Sequence, residues 1–266
     1  MTRLTVDERR ELGRSRRRVV PRSSLADWTP SADRRDPVEL IAEQNRTRLQ
    51  WLVPERHARM RVSPFTFFRG SARVMAADLA SVPTSGLQVQ LGGDAHLSNF
   101  GAYASPERQL VFDQNDFDET LPGPWEWDVL RLATSFVVAA RFHDFDRSVQ
   151  RQVASEVVRA YRAGMDHFGA MGYLQLWYDY VDMEDLRNAV DVEDSEIDRR
   201  LDRFTRKAEK RTSEQALRKF AEHVDGSWRI RNEPPVLFSL SELPEEISPG
   251  WTEDELPTAV NAALEG

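Results

Sequence analysis

The alternation of apolar and polar residues between positions 37 and 91 predicts two helices and a strand. Apolar residues recur at helical spacing from Pro37 to about Val53, and a proline suits the first turn of a helix. Small and apolar residues from Ala72 to Leu79 predict a second helix, which the turn-forming residues 83–86 end. Residues 87–91 alternate with a period of two, as in a strand, and Gly92 and Gly93 then turn the chain sharply. The polar motif that follows therefore lies on a loop that leaves a strand.

A hairpin is predicted after this loop. Phe100–Tyr103 and Leu110–Phe112 flank the turn-forming residues 105–108, so they predict the two strands of the hairpin. The second strand leads into residues 115–118, a second polar motif, and brings it to the same end of the sheet as the first. Pro122-Gly123-Pro124 then breaks the chain.

The second half of the chain is predicted to be mostly helical. Trp125 to about Phe142 forms a strongly apolar helix, and Arg147 to about Met171 forms another. An aromatic interval from Tyr173 to Tyr180 and a charged helical region from Ser195 to about His223 follow. The whole pattern predicts an α+β, mostly helical fold in which a small β-hairpin sheet carries the polar loops.

Three regions follow from the distribution of charge and periodicity. Residues 1–36 are rich in arginine and lack a sustained apolar period, so they are predicted to form a basic, partly mobile N-terminal arm. Residues 37–240 form the predicted catalytic-loop domain, and residues 241–266 form a C-terminal tail. Within the domain, residues 227–231 predict a strand and residues 234–238 an extended segment.

Composition narrows the classes of function. An apolar fraction of 40% over 266 residues is enough for a folded core. The net charge of -8 argues against a general nucleic-acid binder, which usually carries a basic face. The chain has no cysteine, and its longest nearly apolar run, Ala133 to Ala140, is too short to cross a bilayer. We therefore expect a cytoplasmic protein with neither a nucleic-acid nor a membrane partner.

Carboxylate and amide side chains occupy both predicted turns. In phosphoryl transfer the protein positions the reactants and holds metal ions, and it does little covalent chemistry. Asp94 has the type and place of a base for the proton of an acceptor hydroxyl. Asn99 and Asp116 carry the oxygen ligands that Mg²⁺ prefers, and Asp118 is either a further metal ligand or a solvated carboxylate. The two motifs together predict a metal-dependent phosphoryl-transfer site.

Other polar residues lie close to these motifs in sequence. His96 either takes part in catalysis or fixes the loop by hydrogen bonds, since no other histidine stands at zinc-ligand spacing from it. Asp128 supports the structure, either by capping the helix that it opens or by bracing the catalytic loop. Asp113 and Glu119 are interpreted as ordinary surface carboxylates. The alternative for the whole set is that Asp and Asn residues here only form turns.

The first motif, Gly93-Asp94-Ala95-His96-Leu97-Ser98-Asn99, resembles the His-Gly-Asp-x-His-x-x-Asn loop of the aminoglycoside phosphotransferase and choline kinase branch of the protein-kinase-like fold. Asp116-Phe117-Asp118 is similar to the metal-binding Ile-Asp-Phe of that group, and residues 128–133 resemble the start of its Asp-Leu-Ala helix. Gly92 replaces the first histidine, and Asn115 replaces the usual apolar residue. The resemblance implies a kinase-like C-lobe that uses Mg²⁺ and ATP and transfers the γ-phosphate to a hydroxyl of a small-molecule substrate.

Three segments together resemble a bacterial family known as domain of unknown function 2252. They are Ser63 to Gly70, Gly92 to Phe100 and Asn115 to Glu119, and the resemblance runs from about residue 36 to about residue 240. It makes Arg69 a signature residue. Arg69 is predicted either to bind the cofactor or to form a structural ion pair.

The nucleotide clamp of a kinase is not recognisable in the sequence. There is no Gly-x-Gly-x-x-Gly or Walker motif, and the three lysines, Lys207, Lys210 and Lys219, follow the catalytic motifs in a charged helical stretch. In the resembled family a Gly-rich segment and a lysine-bearing strand follow the matched part. We therefore expect an incomplete kinase fold, inactive alone, whose nucleotide site is completed by a downstream segment or a separate chain.

Three other functions use the same residues. The chain could be an active small phosphotransferase that binds the nucleotide through arginines such as Arg69. It could be a non-catalytic kinase-like binding module that keeps the metal site or only its shape. A metal-dependent hydrolase would use the same Asp and Asn groups to activate water.

Overall fold

The computed structural model shows an α+β protein that is mostly helical and has small antiparallel sheets. The structure describes residues 4–189, 195–210, 213–233 and 237. Contacts divide the chain into two compact units, Met1–Asp191 and Val192–Gly266. The predicted extended segment at residues 234–238 and the predicted tail at residues 241–266 lie outside the described residues, apart from residue 237.

Helices account for most of the described chain. The α-helices are α1 (Val6–Val19), α2 (Pro37–Asn45), α3 (Val53–Met60), α4 (Pro64–Arg69), α5 (Ala72–Leu79), α6 (Glu126–Phe142), α7 (Arg147–Ala170), α8 (Tyr173–Trp177), α9 (Met183–Ala189), α10 (Ser195–Glu209) and α11 (Ser213–Phe220). Short 3-10 helices span Arg22–Ala26, Gln50–Leu52 and Leu97–Asn99. The helices predicted at residues 72–79, 125–142 and 147–171 are confirmed within one residue at each end.

Each sheet consists of two antiparallel strands. The strands are β1 (Gln88–Leu91), β2 (Phe100–Ala104), β3 (Leu110–Gln114), β4 (Leu121–Pro124), β5 (Ala221–Val224) and β6 (Ser227–Ile230). β1 pairs with β4, β2 with β3, and β5 with β6. The hairpin predicted around residues 105–108 is confirmed as β2–β3, in which Ala102 lies opposite Phe112.

The first unit is assembled around α6. This helix packs against α7 on one side and contacts α4 and α5. A small apolar core forms where α2, α3 and α5 meet, from Leu40, Ile41, Met60 and Val74. The two sheets β1–β4 and β2–β3 precede α6 in the chain, so their connecting loops lie next to its first turns.

The single helix predicted from Pro37 to about Val53 is wrong. The structure has α2 ending at Asn45 and α3 beginning at Val53. Pro54 lacks an amide hydrogen and would clash with the preceding turn inside a helix, so it is tolerated only where a helix begins. The Gln50 side chain donates to the Asn45 carbonyl at 2.8 Å, which satisfies an acceptor left free by the end of α2.

Among the elements of the first unit that were not predicted are α1 and β4. α1 forms in the arginine-rich arm, where Thr5 and Glu8 make a capping box. β4 forms in Pro122-Gly123-Pro124, which the sequence marks as a break. Proline is tolerated there because a two-stranded sheet leaves one side of each strand unpaired. Gly123 is required by its partner strand, since a Cβ at this position would lie 2.5 Å from Leu91 Cδ1.

The second unit contains α10, α11 and the β5–β6 hairpin. The predicted strand at residues 227–231 is confirmed as β6. Arg231 closes the hairpin against α11, because its Nε donates to the Ala221 carbonyl at 3.1 Å and its Nη2 to the Arg218 carbonyl at 3.1 Å. In the part of the chain that the structure describes, no helix combines the length and the apolar character needed to cross a membrane.

Candidate functional site

The turn after β1 brings the two polar loops into contact. Gly93 has φ +80°, and a Cβ on it would lie 1.9 Å from the carbonyl oxygen of Glu119. Only glycine fits this left-handed conformation and this close approach of another backbone. The glycines therefore place the loop that carries Asp94 directly against the loop that carries Asp116 and Asp118.

Asp128 braces this turn from the first turn of α6. Its carboxylate accepts hydrogen bonds from the backbone amides of Gly92 at 2.8 Å and Gly93 at 3.1 Å. Burial raises the pKa of Asp128, and the two amide donors oppose that rise. Of the two roles open to this residue, the structure shows the contact with the loop that carries Asp94, whereas the N-cap position of α6 belongs to Trp125.

Asp94 is buried against an arginine to which the sequence analysis gave no role. The Nε and Nη2 atoms of Arg131 both contact Asp94 Oδ1, and the Arg131 side chain is only 3% exposed. Arg131 also donates to the Phe68 carbonyl at 2.8 Å, and its guanidinium lies 4.3 Å from the centre of the Phe68 ring. Burial raises the pKa of Asp94, and the Arg131 charge opposes the rise. The ion pair holds Oδ1 of the Asp94 carboxylate and leaves Oδ2 without a contact to Arg131.

His96 lies next to that second oxygen. Its Nδ1 accepts a hydrogen bond from the Ser98 amide at 3.1 Å, so the ring proton of the neutral form is on Nε2. Nε2 lies 3.6 Å from Asp94 Oδ2. Burial lowers the pKa of His96 to about 4, and the charges of Arg131 and Arg69 contribute. The histidine is therefore neutral at neutral pH, and it fixes the loop while facing Asp94.

Asn99 joins the two ends of the first motif. Its side-chain Nδ2 donates to the Asp94 carbonyl at 2.9 Å, and its own carbonyl accepts from the Asn115 amide at 3.0 Å. The residue is buried. Because the amide nitrogen makes the internal contact, the side-chain oxygen is the atom left for a ligand.

The acidic residues of the second loop shift the pKa values of one another. The side-chain hydrogen bond between Asp116 and Asp118 raises the pKa of Asp116 and lowers that of Asp118. Burial raises the pKa of Glu119 to about 7, and the hydrogen bond with Asp118 and the charge of Asp94 contribute. Asp94, Asp116, Asp118 and Glu119 thus form one electrostatic group.

The predicted metal ligands are only partly brought together. Asp116 and Asp118 are exposed neighbours, whereas Asn99 is buried at the end of the first motif. Among the described residues, no group of three His, Cys, Asp or Glu side chains is arranged to hold a metal ion. The donor set is nevertheless made of the oxygen atoms that hard cations prefer.

Arg69 lies in the last turn of α4 and is exposed. No carboxylate of the described residues forms an ion pair with it, so the structural ion pair predicted as one of its two roles is not seen there. Its charge is close enough to His96 to lower the pKa of the imidazole. Arg69 is therefore a cation at the edge of the loop that carries His96.

Sequence reasoning missed three residues of the site. Arg131 anchors Asp94; Ser135 accepts from the Leu97 amide at 3.0 Å and is fully buried; Glu119 is the half-buried acid with the raised pKa. Asp128, Arg131 and Ser135 recur at helical spacing in an otherwise apolar α6, so they form a polar stripe on the face towards the loop. This polar stripe is the pattern in the sequence that indicates Arg131 and Ser135.

The fold and the site define an α+β protein in which two carboxylate-bearing loops meet over a buried ion pair. The chain belongs to the bacterial family described as uncharacterized protein conserved in bacteria (DUF2252), which matches residues 48–266. The match confirms the family resemblance and extends it past residue 240 to the last residue of the chain. No curated protein and no solved structure matches the chain.

Proposed function

We propose that this protein is a metal-dependent phosphotransferase with a kinase-like fold, acting on a hydroxyl of a small molecule. The observation that carries the proposal is the contact between the two loops: the buried Asp94 and the exposed pair Asp116 and Asp118 belong to one electrostatic group. A base and two metal ligands in separate places are what phosphoryl transfer requires.

Asp94 is the proposed base for the acceptor hydroxyl. Arg131 holds its Oδ1, so Oδ2 would accept the proton. His96 presents Nε2–H towards Oδ2 at 3.6 Å and would orient that oxygen. In this proposal Asp94 is a catalytic residue, and Arg131 and His96 are positioning residues.

Asn99, Asp116 and Asp118 are the proposed ligands of Mg²⁺. The exposed carboxylates and the free amide oxygen fit a hard cation, and the charges of Asp94, Asp116 and Asp118 around Glu119 are negative charge that a cation would relieve. Mg²⁺, when bound, supplies positive charge to a transferred phosphoryl group.

ATP is the proposed donor on the strength of the family resemblance. The proposal does not rest on a Gly-rich phosphate loop with a strand lysine, since the described residues form none. Arg69 is the cation that supports it, because it lies beside the catalytic loop without an ion pair to the described carboxylates.

Binding of Mn²⁺, a paramagnetic substitute for Mg²⁺, tests the metal ligands. Asp116→Asn is expected to weaken Mn²⁺ binding to the full chain by at least about tenfold, measured by electron paramagnetic resonance of the free ion. Asp113→Asn is the matched control, since Asp113 is an exposed carboxylate on the neighbouring strand β3. Equal affinities of these two variants would contradict the proposed ligand set.

Product analysis tests the base. The protein is incubated with MgATP and a mixture of hydroxyl compounds, and a phosphorylated acceptor is sought by mass spectrometry. Asp94→Asn is expected to abolish the product while Mn²⁺ affinity stays within about twofold of wild type, because a base acts after binding. Release of phosphate without any phosphorylated acceptor would instead identify a hydrolase, and turnover by Asp94→Asn at the wild-type rate would overturn the role of Asp94.

A further inference from the structure

A cavity of about 880 Å³ lies within the first unit, apart from the two polar loops. Its walls come from three places: the segment Leu25–Trp28 of the N-terminal arm, the helices α3 to α5, and one face of α6. The volume is in the range of pockets that hold small ligands. Much of the lining is aromatic or aliphatic, including Phe67, Phe68, Val74 and Val138.

The polar groups of the lining are mostly satisfied within the protein. Ser63 accepts from the Thr66 amide at 3.0 Å, and Ser71 donates to the Phe68 carbonyl at 3.1 Å. Asp78 is held by Arg34 through two hydrogen bonds of 2.6 and 2.8 Å, which neutralise its charge. An uncharged polar ligand would therefore find few partners in the cavity.

Arg61 is the exception. It follows the last turn of α3, it is exposed, and it lines the cavity. None of the described carboxylates forms an ion pair with it, and the nearby Asp78 is already paired with Arg34. The described lining residues thus combine a large apolar volume with one cation whose charge is not compensated.

We propose that this cavity binds a single-chain amphiphile, with its apolar tail among Phe67, Val74 and Val138 and an anionic head group at Arg61. A carboxylate of medium chain length has this chemistry. The tail replaces water along the apolar walls, which is favourable in proportion to the area covered. The head stays at the exposed rim, where a guanidinium can donate to both of its oxygens.

The cavity also adjoins the positioning residue of the catalytic loop. Phe68 and Met75 line the cavity, and both contact Arg131: the Phe68 carbonyl accepts from Nη2, and Met75 Sδ lies 3.7 Å from Nη1. A ligand in the cavity touches the side chains that hold Arg131 against Asp94. Binding itself does not require phosphoryl transfer, so the two functions can be tested separately.

Calorimetric titration of the full chain with octanoate, decanoate and dodecanoate, below their micelle concentrations, tests the cavity. One molecule should bind per chain, and the dissociation constant should fall roughly fourfold for each added methylene. Undecyltrimethylammonium, which has the same undecyl tail as dodecanoate and the opposite charge, should bind more weakly than dodecanoate. Absence of binding by all three carboxylates, or an affinity independent of chain length, would overturn the proposal.

Substitution of two nearby arginines, Arg61 and Arg59, tests the contact with the head group. Arg61→Gln should weaken dodecanoate binding by about fivefold, the scale of an exposed ion pair. Arg59→Gln should leave it unchanged, because Arg59 pairs with Glu55 at 2.7 Å and does not line the cavity. Equal effects of the two substitutions would show a general response to surface charge and would count against Arg61.

Filling the cavity provides an independent test. Thr134 of α6 lines the cavity, so Thr134→Trp places a large side chain inside it. A variant whose circular dichroism spectrum matches that of wild type should no longer bind dodecanoate. Unchanged binding by a folded variant would place the ligand elsewhere and refute the proposal. If the variant does not fold, the comparison of Arg61→Gln with Arg59→Gln decides the question by itself.

Discussion

Asp94 and Arg131 form a buried ion pair in which each group depends on the other. Arg131→Met should lower the free energy of unfolding by about 3 to 5 kcal/mol, because it leaves the Asp94 carboxylate buried without its partner. Urea denaturation measures this change. The double variant Asp94→Asn, Arg131→Met should lose less than the sum of the two single variants, since the buried charge is then gone.

Arg59→Met is the matched control for that experiment. Arg59 is an exposed helical arginine whose ion pair with Glu55 lies at the surface. Its loss should change stability by no more than about 0.5 kcal/mol. A loss in Arg131→Met no larger than this would show that Asp94 finds another partner.

His96 gives the stability of the protein a dependence on pH. Burial lowers its pKa from 6.5 to about 4, so the folded chain takes up the proton less readily than the unfolded chain. Its contribution is therefore complete above pH 6.5 and is lost as the pH falls towards about 4. When the pH is lowered from about 7 to about 5, the free energy of unfolding should fall by roughly 2 kcal/mol more in wild type than in His96→Gln. Urea denaturation measures this difference.

The His96→Gln variant is the reference for wild type at each pH. The other titrating groups, such as Glu119, remain in both proteins, so their contributions cancel in the difference. Curves that run parallel from neutral to acidic pH would mean that the imidazole is protonated as readily in the folded state as in the unfolded chain.

At the scale of elements, the turn between β1 and the catalytic loop tolerates only glycine at one position. Gly93→Ala should destabilise the protein by about 1 to 3 kcal/mol or more, because φ is +80° and the new Cβ would overlap the Glu119 carbonyl. Thermal unfolding measures the shift. Gly164→Ala, in the middle of α7, should instead stabilise by roughly 0.5 to 1 kcal/mol, since the added Cβ meets only the Phe168 ring at 3.8 Å.

The opposite signs of these two changes make the comparison decisive. Both replace glycine by alanine, so the effect of alanine on the unfolded chain is the same. A stabilising Gly93→Ala would mean that the two loops are not in contact in solution.

The elements that the sequence predicts well are those whose signal is local. The turn-forming residues 105–108 between two apolar segments and the long apolar run of α6 are sufficient by themselves, and both elements form where expected. β4 was missed because its stability comes from pairing with β1, which is about thirty residues away, and not from the propensity of Pro122-Gly123-Pro124. The helix α1 was missed because its residues lack an apolar period, although the Thr5–Glu8 capping box was readable.

The candidate site shows the same limit. Asp94, Asn99 and Asp116 could be selected by residue type and order. Arg131 could not be assigned to Asp94, since the contact joins residues 37 positions apart and depends on how α6 lies against the loop. The pKa of Glu119 likewise results from burial and neighbours that only the folded chain provides.

At the scale of the whole first unit, a bidentate ion pair attaches the N-terminal arm to the helical core. Arg34 reaches Asp78 of α5 with two hydrogen bonds, across 44 positions of sequence. Arg34→Ala should therefore release the segment Leu25–Trp28 from the cavity wall, and amide hydrogen exchange in that segment should accelerate.

Arg35→Ala is the control for the attachment of the arm. Arg35 is the neighbouring arginine and pairs with Glu43, which Arg73 also contacts, so its loss leaves the Asp78 contact intact. The same exchange rates in Arg34→Ala and wild type would mean that other contacts are enough to hold the segment.

The carboxylate of Asp128 has a consequence for the chemistry of the turn at Gly92 and Gly93. Two successive backbone amides that point the same way are a common receptor for phosphate or sulfate. Here the protein has filled that receptor with its own anion, at 2.8 and 3.1 Å. A phosphate or sulfate ion is thereby excluded from the turn, and replacing Asp128 by glycine would leave both amides without their acceptor.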